Sequence, residues 1–332
     1  MKKNDMKCRT LRGRLSILFM VTLVISVLSG CGRSDDKNVA STALPGAQDA
    51  GGQTAQTAQT SDGQTAQTSD GQTAQAETSS GDAATGDKYL SVVASPGIHT
   101  EILKMAQTIL AGEGITLYID SDFEDYLIPN FLVDGGVYTC NYFQHEEYLN
   151  SFNEEQGTDL VSVGKIHFEP LGIYPGKKKS LKSLESGDVI TIPRDTANQA
   201  RALKLLSDAG LIKLPADKTT DASIGDITDN PYGIKVQLMD ASQVPSAIAD
   251  SAFIVMNGNY ARQALYTVTS DAIAYENPDS SVADKYANII AVNRGDENNP
   301  LVQELVKVLQ SEDIRVYMQS RFAGAVVPYS GS

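Results

Sequence analysis

Leu90 to Leu110 reads LSVVASPGIHTEILKMAQTIL. The first five residues alternate too little for a half-exposed strand and read as a buried one, Leu90-Ser91-Val92-Val93-Ala94. Ser95-Pro96-Gly97 then turns the chain. Thr100 and Glu101 open a helix that carries Ile102, Leu103, Ala106, Ile109 and Leu110 on one face. A buried strand, a tight turn and an amphipathic helix form the building unit of an α/β fold. The same alternation continues outward. Val161 to Val163, Val189 to Ile192, Phe253 to Met256 and Ile289 to Val292 read as strands, and Thr196 to Ala209 and Leu301 to Gln310 as helices. Gly210 is placed to end the first of those helices, and Ser311-Glu312 to start a last one. The pattern predicts an α/β fold with parallel strands.

Upstream the composition changes twice. Lys2, Lys3, Lys7, Arg9, Arg12 and Arg14 precede the apolar run Leu15 to Leu28, which is short of the roughly 20 residues a spanning helix needs and reads as a secretory signal. It ends in Leu28-Ser29-Gly30-Cys31, which resembles the bacterial lipobox and predicts Cys31 as the lipidated first residue of the mature chain. An uncleaved membrane anchor is the other reading; either way the rest is exported. From Ser34 to Asp87 no aromatic residue occurs, and SDGQTAQT (61–68) returns as SDGQTAQA (69–76). So few apolar side chains cannot offset the entropy of ordering a backbone, so 31–87 is expected to be a disordered tether. Flexible-chain scaling gives it a span of about 40 Å.

The 332 residues carry 27 Lys+Arg against 41 Asp+Glu, a net charge of -14, and 41% are hydrophobic, enough for a sizeable core in one to three domains. Of that charge, residues 1–33 hold +6 and 34–87 hold -7, leaving -13 on Lys88 to Ser332. A domain this acidic excludes nucleic acid as a partner, because phosphate contacts need clustered Lys and Arg. Cys8, Cys31 and Cys140 are far apart, which excludes a disulfide framework and a thiolate zinc site, and no metal or cofactor is expected. GxSxG, GxxxxGK[ST], GxGxxG and HExxH are all missing, so the chain is not expected to be an enzyme. Cys140 with His145 five residues on has the elements of a nucleophile pair, but a lone cysteine in an apolar stretch reads better as a small core residue.

Polar and aromatic residues gather where strands and helices meet. Tyr126 leads into Leu127-Ile128-Pro129-Asn130, and Tyr142, Phe143 and His145 fall within four positions; together they have the makings of a pocket wall, or of core packing around a satisfied histidine. Such walls suit a thioether, whose sulfur gains about 0.3–1.5 kcal/mol per aromatic contact. Asn198 and Arg201 are three apart near a helix start and share a face; the Arg fork matches a carboxylate, or simply faces solvent. Asn257 sits in Val255-Met256-Asn257-Gly258-Asn259-Tyr260-Ala261, where a strand gives way to a helix, the usual crevice position in open α/β sheets. Asn288 stands at the entrance to an apolar strand.

Taken together these runs resemble the methionine-binding lipoprotein family, the NlpA-type substrate-binding proteins of ABC importers. The resemblance spans nearly all of 88–332 and rests on SPGIHTEIL (95–103), DYLIPN (125–130), NYFQHEEYL (141–149), VGKIHFEPLGIY (163–174), IPRDTANQARAL (192–203), AGLIKL (209–214), NGNYA (257–261), YANIIAV (286–292) and GAVVP (324–328). It implies a two-lobed, periplasmic-binding-protein-like (type 2) fold with a hinge and an interlobe cleft. It divides the chain into a signal peptide (1–30), the lipidated Cys31 with its tether (31–87), lobe 1 (88–170 and 286–332) and lobe 2 (171–285). The implied ligand is L-methionine or a similar amino acid, and the implied partners are an ABC permease with a cytoplasmic ATPase and the bilayer that holds the anchor. The chain is expected to be a monomer on the extracytoplasmic side. By resemblance Arg201 would hold the ligand carboxylate and Asn288 its backbone, Tyr126, Tyr142, Phe143 and His145 would enclose its side chain, and Asn198 and Asn257 would complete the polar end. Tyr142 and Arg201 would approach from opposite lobes, with His167 and Glu169 behind. Arg194, Cys140 and Pro175 depart from the family pattern. Another small amino acid or a dipeptide as ligand, or a surface interaction role without transport, are the alternatives.

Overall fold

The first strand, β1 (Lys88–Ala94), turns at Gly97, whose φ of 85° is one that residues with a Cβ rarely adopt, into helix α1 (Ile98–Gly112). The helix starts two residues earlier than Thr100, and Thr100 Oγ1 instead ties the turn by donating to Ser95 O at 3.0 Å. Its buried face is Ile98, Ile102, Leu103, Ala106 and Leu110, and these lie in one core with Leu90, Val92 and Ala94 of β1. Burying each Ile, Leu and Val side chain among them stabilises by about 1.5–3 kcal/mol.

The computed structural model describes residues 88–218, 220–278 and 281–331. The expected signal peptide, Cys31 and tether lie outside them. After α1 come β2 (Ile115–Asp120), α2 (Ile128–Asp134), β3 (Cys140–His145), α3 (Glu146–Gln156) and β4 (Leu160–Phe168). The chain then builds β5 (Gly172–Pro175), β6 (Val189–Pro193), α4 (Thr196–Asp208), β7 (Lys235–Met239), β8 (Phe253–Met256), α5 (Gly258–Gln263), α6 (Val268–Asp271) and β9 (Ala274–Tyr275). It finishes with α7 (Ser281–Lys285), β10 (Ala287–Asn293), α8 (Pro300–Leu309), α9 (Glu312–Phe322) and β11 (Val327–Pro328). Gly210, with φ 73°, follows the last turn of α4, and Ser311 caps α9 by accepting from Ile314 N, both as the sequence predicts.

Two sheets result. The first has the order β11-β4-β10-β3-β1-β2 and the second β7-β6-β8-β5-β9. Strands joined through a helix are parallel, as in β1 with β2 and β3, and β6 with β7 and β8. The parallel strands that the pattern predicts are present, and beside them β5 and β10 run antiparallel to their neighbours. Each enters its sheet from the other lobe rather than from a crossover helix, so nothing forces it parallel. The passages between the lobes are short: β4 ends at Phe168 and β5 begins at Gly172, while β9 ends at Tyr275 and β10 begins at Ala287. Each sheet carries its own apolar core, and a smaller cluster of Phe143, Tyr148 and Phe152 from the first lobe meets Ala197 of α4 from the second. Among the described residues no helix is long and apolar enough to cross a membrane.

Candidate functional site

The cavity where the lobes meet is shaped first by an irregularity in β3. Along β10, Ile289 pairs with Gln144 and Ile290 with Tyr142, so Phe143 is an extra residue with no partner. A bulge of this kind twists a strand and re-aims its side chains. Cys140 and Tyr142 before it point into the first core, whereas Phe143, Gln144 and His145 all line a cavity between the lobes. The bend is secured by a closed set of amides: Asn130 Nδ2 donates to Gln144 Oε1 (3.0 Å), and Gln144 Nε2 donates to Asn130 Oδ1 (2.6 Å) and Asn141 Oδ1 (2.9 Å).

Seven of the eight expected ligand residues line this cavity: Tyr126, Phe143, His145, Asn198, Arg201, Asn257 and Asn288. Tyr142 does not. It is fully buried in the first core and its hydroxyl meets His167 Nδ1, so the expectation that Tyr142 encloses the ligand and faces Arg201 across the lobes is corrected: its ring packs on the Cys140 side of β3, away from the cavity. Cys140 is an inert core residue, its thiol pushed up to about 12 by burial. Arg194 is on the surface beside Asp240 (3.2 Å), lining an adjoining hollow that shares Tyr126 and Tyr148 with the cavity.

Arg201 stands on the fourth helix with its guanidinium 3% exposed, stacked over the Tyr286 ring at 4.4 Å. Its fork is already matched, though by a protein carboxylate: Nε donates to Glu276 Oε1 (2.8 Å) and Nη2 to Glu276 Oε2 (2.6 Å), with a further Nη2 bond to Glu169 O (2.9 Å). Burial works against the charge, but Glu276 outweighs it and raises the Arg201 pKa. Among the described residues Nη1 makes no hydrogen bond, and Arg201 lines the cavity.

Glu169 sits in the passage between the lobes. Oε1 accepts from His167 Nε2 at 2.8 Å, with His99 Nε2 at 3.6 Å, while Oε2 lies over Gly258, where an added Cβ would meet it at 2.7 Å. Burial pushes the carboxyl up, yet the His167 hydrogen bond and the charges around it hold it below the usual carboxylate range. His99 Nε2 also meets Asn288 Oδ1 at 2.9 Å. The ring and carboxylate atoms of His99, His167 and Glu169 lie within 4.8 Å of one another, spacing that suits a cation. Hydrogen bonds account for the group without one. Ligating histidines donate their second N–H to a partner, and His99 Nδ1 has none among the described residues.

The apolar wall is fixed in the same way. Tyr126 stacks near Phe143, Tyr148 and Tyr260, with ring centroids at 5.7, 5.6 and 5.0 Å. His145 Nδ1 accepts from Tyr148 N (3.1 Å), which makes Nε2 the donor to Asn198 Oδ1 (3.2 Å) in the other lobe. Burial, helped by the Arg201 charge, lowers the His145 pKa to about 3, so the ring is neutral. Asn257 Nδ2 donates to the same Asn198 oxygen (2.8 Å), and Asp195 caps the helix below it by accepting from Asn198 N (2.9 Å).

Gln144, Tyr148, Glu169, Gly258 and Asn259 line the cavity without having been assigned to it from sequence, and Glu276 supports it from behind. Asn259 and Tyr148 fall inside runs already singled out, at two and three positions from Asn257 and His145. Glu276 carries no local signal, because it is 75 residues from Arg201.

The family described as NlpA lipoprotein matches residues 90–330. The methionine-binding lipoprotein MetQ of Bacillus subtilis strain 168 is 36% identical over 258 residues, 76% of this chain and 92% of its own. A solved chain from Ruminococcus gnavus ATCC 29149 is 47% identical with a TM-score of 0.72, covering 73% of this chain and 100% of its own. A nutrient binding protein from Burkholderia cenocepacia, solved bound to methionine, is 36% identical with a TM-score of 0.68 over 73% of this chain and 100% of its own.

Proposed function

The chain belongs to the NlpA lipoprotein family, and from that premise we propose that it is the lipid-anchored receptor of an ABC importer, which closes on L-methionine or a near relative and delivers it to a membrane permease with a cytoplasmic ATPase. The observation that carries this reading is a cavity lined by one cation, Arg201, whose Nη1 bonds none of the described residues, and one anion, Glu169, whose Oε2 likewise bonds none of them, beside a wall of Tyr126, Phe143 and Tyr148. Opposite charges at one end and rings at the other are what a zwitterion with an apolar tail needs. Its carboxylate goes to Arg201 and its ammonium to Glu169, with Asn288, Asn257 and Asn198 completing the polar end. A charge buried without such partners would be costly, so the pairing is a condition of binding and a source of selectivity.

Closure follows from where the groups stand. Residues 88–170 with 286–332 act as one lobe and 171–285 as the other, and the ligand favours the shut state because only there does it touch both. His145 and Asn198 already meet across the seam, as do Tyr260 Oη and Glu124 O at 2.6 Å. The export signal, lipidation at Cys31 and tether complete the reading as sequence-based proposals. The hollow beyond Tyr126 and Tyr148 favours a second ligand class, a dipeptide that extends past the ring wall.

Isothermal titration with L-methionine, other amino acids and a methionine dipeptide tests this. Saturable 1:1 binding of methionine that is lost in Arg201→Ala and Asn288→Ala is expected. Tight binding that survives both changes rejects the site.

A further inference from the structure

Asn259 is the second residue of the fifth helix, in the lobe of the second sheet, and Tyr126 comes from the lobe of the first. The hydroxyl of the half-buried Tyr126, its pKa pushed well up by desolvation, stays protonated and donates to Asn259 Oδ1 at 2.7 Å. One held oxygen and a planar amide leave Nδ2 in a defined place. That Nδ2 is buried, has no hydrogen-bond partner among the described residues, and belongs to a side chain 3% exposed that lines the cavity. Buried amide donors are almost always paired, so an orphan at a cavity wall marks an absent acceptor. Two residues earlier, Asn257 shows the reverse: Nδ2 is bonded to Asn198 and Oδ1 is the buried orphan. The two sides of Gly258 thus offer one donor and one acceptor.

We propose that Asn259 Nδ2 donates to a carboxylate oxygen of the bound amino acid, and that Tyr126 is a positioning residue that orients this amide from across the lobe seam. The carboxylate is the strongest acceptor such a ligand has, and a thioether sulfur is a weak one. Because the orienting hydroxyl and the amide stand on different lobes, the donor is aimed only when the lobes are shut. Tyr126 therefore does more than wall the tail: it couples closure to recognition of the carboxylate. This rests on the receptor reading above.

The test is a double-mutant cycle in the full chain, read as methionine Kd by titration calorimetry for wild type, Tyr126→Phe, Asn259→Ala and the double variant. Asn259→Ala is expected to weaken binding roughly tenfold or more, the scale of a lost hydrogen bond to a charged group. Tyr126→Phe is expected to weaken it less, and to have no further effect once Asn259 is gone. The preference for methionine over methioninamide should narrow in Asn259→Ala, while that for methionine over norleucine should not. Asn259→Asp keeps the acceptor for Tyr126 and removes the donor, so it should lose binding even if the alanine variant folds poorly. Additive losses, an unchanged methioninamide preference, or variants that bind like wild type overturn the proposal and leave the receptor reading standing. A wild-type chain that binds no amino acid overturns both.

Discussion

Arg201 shows how one side chain can serve two partners. Its Nε and Nη2 edge is closed by Glu276, which lies in the strand-poor stretch leading back to the first lobe and also accepts from Leu171 N at 2.8 Å. Glu276 thereby ties the guanidinium to both passages between the lobes and neutralises a charge that would otherwise repel it from a dry site. Removing the carboxylate leaves an unpaired buried cation, a change that costs about 3–5 kcal/mol. Glu276→Ala is accordingly expected to lower urea-unfolding stability by that order. Replacement with less than about 1 kcal/mol lost would mean that the pair is solvated and contributes no more than a surface bridge.

At the scale of elements, the start of the fifth helix approaches the interlobe passage so closely that a side chain is excluded. A Cβ at Gly258 would meet Glu169 Oε2 at 2.7 Å and Glu169 Cβ at 2.8 Å. Gly258→Ala must therefore push Glu169 out of the cavity or lift the helix. Methionine binding should weaken about tenfold or more, as when a charged hydrogen bond is lost, with far less effect on unfolding. Equal affinity in the variant would show that Glu169 does not touch the ligand. The sequence makes some of these elements plain and hides others for physical reasons. The first helix has an apolar face, the fourth, eighth and ninth helices have side-chain caps, and the strands at Lys88–Ala94, Phe253–Met256 and Ala287–Asn293 carry apolar runs, so all were legible. Cys140–His145 was not read as a strand because both of its faces are buried and one is polar for the cavity's sake. The bulge at Phe143 is set by pairing with β10, nearly 150 residues on, so the sequence around Tyr142 and Phe143 does not show which of the two rings faces the cavity. The two-residue strands at Ala274–Tyr275 and Val327–Pro328 exist only through their neighbours.

Across the whole molecule, burial of neutral imidazoles predicts sensitivity to acid. Burial chiefly lowers His99 to about 4 and His145 to about 3, against 6.5 when exposed. Between those values the unfolded chain binds protons that the folded chain refuses, so stability is full above about pH 6.5 and falls as pH drops toward 4 and 3. Asp195 opposes this in part: burial raises it to about 6, so the folded chain keeps a proton that the unfolded chain has lost, which favours folding between about pH 4 and 6. Two imidazoles outweigh one carboxyl, and urea midpoints should decline from pH 7 to about 4, less steeply in His145→Gln. A flat profile would place these rings in water.

The strand order of the first sheet also sets a timetable. In β11-β4-β10-β3-β1-β2, the strand that holds β4 against β3 is made after residue 286, whereas every strand of the second sheet lies between Gly172 and Tyr275. As the chain emerges from its N-terminus, the later-starting lobe is the first to have all its strands in hand. The earlier one must wait, with β4 unpaired on that side, until nearly the last residues arrive to close it.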